Sequence, residues 1–68
     1  MKTDFYDADA FSGSKGEHLC TLDSEYRWEK GDELWVEGRR GRMKLRITSV
    51  NVTIKDGLVS RELLGLKL

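Results

Sequence analysis

The chain has 68 residues, with 12 Lys and Arg against 12 Asp and Glu, a formal net charge of zero, one cysteine and no proline. That length holds one small domain. No apolar run is long enough for a membrane helix, and the opening Met1-Lys2-Thr3-Asp4 lacks the apolar core of a signal peptide. A lone Cys20 excludes an internal disulfide, and Cys20 with the one histidine, His18, cannot close a four-ligand zinc site, so neither metal nor cofactor is expected.

Zero net charge hides an asymmetry. Residues 1–37 carry ten acids and four bases, and residues 38–68 carry eight bases and two acids. In a chain this small, apolar burial barely offsets the entropy of ordering. Tight local pairing or a partner subunit is expected to supply the difference.

Residues 1–16 read as loosely ordered or irregular. Ser12-Gly13-Ser14-Lys15-Gly16 is a loop, and Phe5, Tyr6 and Phe11 are its expected anchors. Asp4, Asp7 and Asp9 do not fit a calcium loop, since the ligand spacing and the central glycine are missing. Glu17–Asp23 reads as a strand with His18, Cys20 and Leu22 on one side. A thiol beside an imidazole suggests a nucleophile and its base, but nothing marks an oxyanion hole or a group to orient the histidine, so a buried structural cysteine is expected.

Lys30-Gly31-Asp32 is a turn before the short strand Glu33–Glu37. The stretch from Trp28 to Gly38 looks like the lead-in to many SH3-like barrels, where a Gly-Asp turn launches a strand. This likeness is short and names no family.

If Arg39-Arg40 is the next hairpin tip, residue i faces residue 79 − i. Leu34 then meets Leu45 and Val36 meets Met43. On the other face Glu37 meets Arg42, Trp35 meets Lys44 and Glu33 meets Arg46. Apolar pairs with apolar and acid with base throughout. The basic stripe Arg39, Arg40, Arg42, Lys44 and Arg46, with Trp28 and Trp35 nearby, has two readings. It is a nucleic-acid surface, with guanidinium groups on phosphates and rings on bases, or it is neutralised within its own sheet. The zero net charge favours the second.

Asp56-Gly57 between two apolar runs is a hairpin signal, because a type I′ turn needs positive φ at both central residues. Residue i then faces residue 113 − i, which matches Ile54 with Val59, Val50 with Leu63 and Thr53 with Ser60. In both strands the apolar parity then switches. Met43, Leu45 and Ile47 give way to Val50, Val52 and Ile54, and Leu64, Leu66 and Leu68 follow Val59 and Leu63. Either opposed bulges realign the faces, or residues 50–63 form an arm that packs on another layer or subunit. Arg61, on the distal apolar face, is expected to need an acid from the N-terminal third. In this register Lys67 lies opposite Arg46.

The expected fold is all-β. It is a small antiparallel SH3-like barrel or half-barrel of four to five strands, built on a C-terminal three-strand meander. The expected role is a non-enzymatic protein-interaction module in a reducing cytoplasm. Its partner is another protein or a second copy, and membranes play no part. Val50, Val52, Ile54, Val59 and Leu63 are the candidate dimer interface. Trp28, Trp35, Arg39, Arg40, Lys44 and Lys67 are the candidate binding residues. The alternative is a small barrel that binds single-stranded nucleic acid. No convergent acid, base and nucleophile stand out that would make an enzyme.

Overall fold

The computed structural model describes residues 1–39 and 41–68. Five strands form a single sheet: β1 (Lys2–Ala8), β2 (Lys15–Asp23), β3 (Glu33–Gly38), β4 (Gly41–Lys55) and β5 (Leu58–Lys67), in the order β2-β1-β5-β4-β3. The sheet curls into a half-barrel, and among the described residues there is no helix. The expected meander forms, and two N-terminal strands join it.

Two expectations are corrected here. The sheet is not wholly antiparallel, because β1 runs parallel to β5, from Lys2 beside Ser60 to Asp7 beside Gly65. The segment 1–16 is also irregular only over residues 9–14: β1 lies between β2 and β5 and buries Thr3, Phe5 and Ala8. Its buried residues, Thr3, Phe5 and Ala8, do not keep a period of two, which is why alternation does not reveal it, and the register shifts on either side of Tyr6 place their extra residues on β2. The loop that follows is held by Asp9, whose carboxylate accepts from the backbone N–H of Phe11 at 2.8 Å and of Ser12 at 2.9 Å. Phe11 anchors nothing and is fully exposed at the tip.

Both hairpins pair as the sequence indicates. Glu33↔Arg46 through Gly38↔Gly41 follow one register. Asp56 and Gly57 take φ of 52° and 77°, the type I′ pattern. From Lys55↔Leu58 to Ser49↔Leu64 the second register also holds, and it then slips once between Ile47 and Ser49. Thr48 is the extra residue on β4.

That single bulge replaces the two opposed bulges. It moves the apolar parity of β4 from odd to even without changing faces, so Leu45, Ile47, Val50, Val52 and Ile54 all point to the inner side. On β5 nothing switches. Arg61, Leu63 and Gly65 stay inward, while Leu64 and Leu66 lie on the opposite face, where Leu64 is still buried. Lys67 therefore pairs with Leu45 and not Arg46. Gly65 makes room for this arrangement. A methyl group there would lie 3.1 Å from Cβ and 3.2 Å from Cδ1 of the fully buried Leu45.

Phe5, Ile47 and Leu63 form the core, with Leu19, Cys20, Leu22, Trp28 and Leu34 packed on it. Residues 24–32 cross its open side. Trp28 meets Phe5 edge-on at 5.1 Å between ring centres, so one tryptophan is a lid on the half-barrel. Gly31 donates to the Ile47 carbonyl and Ile47 donates back to Asp32, both at 2.8 Å, which fastens the end of the loop beside the bulge.

Arg61 holds the start of that loop, and among the described residues it does so without an acid. Its Nε donates to Thr3 Oγ1 at 2.8 Å, and its Nη2 donates to the carbonyls of Ser24 at 3.1 Å and Tyr26 at 2.6 Å. The guanidinium lies 4.9 Å from the Trp28 ring centre. A buried cation needs its donors satisfied and its charge faced by negative potential. Carbonyl dipoles and a ring face meet both needs without desolvating a carboxylate. The fork geometry of arginine allows one side chain to join three segments.

Candidate functional site

Past the bulge, the β4–β5 hairpin runs out beyond the core as an arm. Val50 is 36%, Val52 60%, Ile54 73% and Val59 42% exposed, and Leu58 at the arm's end is 74% exposed. Leu63, expected beside them in an interface, is fully buried and belongs to the core. Between the arm and the end of the β1–β2 pair lies a groove of about 710 Å³ bordered by Leu22, Leu58 and Val59.

The arm also has an open backbone edge. In a two-residue hairpin the flanking residues, Lys55 and Leu58, exchange both backbone hydrogen bonds. Alternation then turns the N–H and C=O of Asn51 and Thr53 toward β5, and those of Val50, Val52 and Ile54 away from it. Pairing with β3 ends at Arg46, and the Gly31-Asp32 contact ends at Ile47. Among the described residues nothing pairs with the outer edge of β4 beyond that point. Sequence reading located the apolar side chains. It missed Leu58 and the free edge, although the register of the type I′ turn implies the edge.

The other candidate surface is the outer face of the β3–β4 hairpin. Glu37 pairs with Arg42 at 3.0 Å, and Glu33 pairs with Lys44 at 2.9 Å and Arg46 at 3.2 Å. The Arg42 guanidinium stacks 3.9 Å from the centre of the half-exposed Trp35 ring, and Lys44 Nζ lies 5.6 Å from it. The cations bonded to Glu33 hold its carboxyl below the usual carboxylate range. A lowered pKa in the folded state means this contribution is present at neutral pH and is lost as pH falls through the lowered value. Arg39 is exposed, and with Lys67, Asp7 and His18 it lines a cleft of about 540 Å³ where the half-barrel stays open. Trp28 is in the lid and not on this surface, and Arg40 lies outside the described residues.

The ion pairs carry a direct test. Glu37→Lys should destabilise the fold by about 0.5–1 kcal/mol, because it sets like charges opposite each other. Adding Arg42→Glu should recover most of the loss in urea titrations. A double variant no more stable than the single would show that the pairing contributes nothing.

His18 and Cys20 are not on one face. Cys20 pairs with Phe5 and His18 with Tyr6, leaving Leu19 as an extra residue. Cys20 packs on the core, where burial raises its thiol pKa, a direction that suits an inert cysteine. His18 sits on the outer face, with Nε2 2.7 Å from Thr21 Oγ1 and 3.4 Å from Asp4 Oδ1. Thr21 also donates to Asp4, which lowers the Asp4 pKa. A proton relay needs the two ring nitrogens of histidine to serve different partners. Here one nitrogen faces both, and the hydroxyl proton goes to the carboxylate. The trio reads as a surface network across β1 and β2.

Among the described residues no cluster of three or more His, Cys, Asp or Glu is placed to hold a metal, and no helix is long and apolar enough to cross a membrane. Comparisons of the chain with protein-family models, with curated proteins and with solved structures return no match.

Proposed function

We propose that this chain is a non-enzymatic protein-interaction module whose contact surface is the distal β4–β5 arm. One observation carries this reading. Four residues of one apolar face leave the core together and end exposed, Val50, Val52 and Ile54 on β4, whose outer edge is free, and Val59 beside them on β5. Isolated surface apolar residues are ordinary, but a contiguous set marks a contact site. Extended partners bind free sheet edges through main-chain hydrogen bonds, and neighbouring side chains set the choice of partner. The Gly31-Asp32 turn ahead of β3 also suits an SH3-like scaffold, and such small barrels present binding surfaces on a fixed frame.

Nucleic-acid binding is the weaker reading, because Arg42, Lys44 and Arg46 already face carboxylates and Arg42 stacks on Trp35. Two columns separate the readings. Wild type should be retained on a hydrophobic resin, and Val52→Asp with Ile54→Asp should remove that retention while leaving the circular dichroism spectrum unchanged. On heparin the wild type should elute at low salt. Unchanged hydrophobic retention of the double variant, or tight and steeply salt-dependent binding to heparin, would overturn the proposal.

A further inference from the structure

We infer that the occupant of the arm is a second copy of this chain, joined edge to edge about a two-fold axis at Val52. The inference rests on reading the arm as the contact surface. It adds the partner and the register.

The free stretch of β4 is short and bounded. The Thr48 bulge and the Gly31-Asp32 contact close one end, and the Asp56-Gly57 turn closes the other. Between them lies Ser49-Val50-Asn51-Val52-Thr53-Ile54-Lys55. Antiparallel pairing of this stretch with its own copy must match outward-facing backbone groups, which belong to Val50, Val52 and Ile54. The register that does so over the whole length pairs residue i with residue 104 − i. Val52 then faces Val52, Val50 faces Ile54 and Ser49 faces Lys55. All three residues with free N–H and C=O groups become hydrogen-bonded pairs, and the pairing ends where the free edge ends.

The side chains agree with that register. On the inner face Val50 lies beside Ile54 and Val52 beside its twin. On the outer face Asn51 lies beside Thr53. The one charged residue of the stretch, Lys55, is set against Ser49, so no like charges oppose each other. A two-fold contact must be self-complementary in this way.

The contrast with the other free edges points to the same place. Folded proteins guard exposed edges with charges, short strands and bulges. The β2 edge carries Lys15, Glu17, His18 and Asp23 and the Leu19 irregularity, and β3 is a six-residue strand with Glu33 and Glu37. Val50–Ile54 has no charge, no proline and no bulge. The exposed area fits as well. The chain exposes 5106 Å², about 700 Å² more than the roughly 4,400 Å² that size scaling gives a compact monomer of this mass. A standard interface covers about 800 Å² per partner.

Three variants test the inference. Among the described residues the N–H of Val52 has no partner, so Val52→Pro should fold normally while weakening dimerisation at least roughly 30-fold, through two lost backbone hydrogen bonds at the axis. Sedimentation velocity across the micromolar range reads this directly. Val52→Cys should cross-link to a covalent dimer in oxidised glutathione, because each cysteine meets its twin. Asn51→Cys, whose partner is Thr53, should not cross-link above the wild-type background set by Cys20. Three results would each overturn the inference: a wild-type monomer at high micromolar concentration, undiminished dimerisation by a folded Val52→Pro, or equal cross-linking of the two cysteine variants. A wild-type monomer whose hydrophobic retention is still lost in Val52→Asp/Ile54→Asp would remove the second copy as occupant and keep the arm as a contact surface.

Discussion

Replacing Arg61 with methionine should cost about 3 kcal/mol of folding stability, measured by urea unfolding. Methionine fills much of the volume but donates nothing. Thr3 Oγ1 and the carbonyls of Ser24 and Tyr26 would lose their partner at once. The loop over the core would then have to open to water, taking Trp28 away from Phe5. The same experiment should show a red shift of tryptophan emission in the folded baseline. Arg61→Lys should recover only a part, since one ammonium lacks the fork that reaches Thr3 on β1 and two carbonyls of the loop together. A domain of this size has about 3–10 kcal/mol in total, so the loss in Arg61→Met is a large fraction of the whole. A loss below about 1 kcal/mol would mean that the loop does not depend on this side chain.

The second large effect divides the apolar face between core and arm. Leu63→Ala should destabilise by about 3 kcal/mol, as expected for a fully buried leucine whose cavity cannot collapse. Ile54→Ala lies on the same inner face but is 73% exposed, and in the monomer should cost less than about 0.5 kcal/mol. At concentrations where the chain associates, the order of importance should reverse, with Ile54→Ala weakening association and Leu63→Ala acting only through folding. Comparable losses of monomer stability from both variants would place the arm inside the core.

Both hairpins were legible because turn chemistry and cross-strand complementarity constrain the same registers. Asp56-Gly57 specifies a type I′ turn, and the pairs around it agree. Glu33, Glu37, Arg42 and Arg46 fix the other hairpin by charge. The bulge at Thr48 was legible only as an anomaly. A parity switch in β4 is visible in the sequence, but Leu64 and Leu66 imitate a matching switch in β5. Gly65 resolves it, since the inner position there is a glycine that leaves space for Leu45. Strand β1 was hidden because one of its two neighbours, β5, comes from the far end of the chain. Its pairing with β5 is a contact between residues almost sixty positions apart, which no local pattern reports. The role of Arg61 was hidden for a related reason. The sequence showed a cation on an apolar face, but its acceptors are main-chain carbonyls, and those carry no signature in residue type.

Amide hydrogen exchange, read residue by residue at low and high protein concentration, tests the central claim most directly. In dilute solution the amides of Asn51, Thr53 and Lys55 should be protected by β5, while those of Val50, Val52 and Ile54 should exchange fast. At high concentration the second set should become protected and the first should change little. Uniform protection of all six amides at both concentrations, or fast exchange of Val50, Val52 and Ile54 at every concentration, would contradict a free edge that is closed by a second copy of the chain.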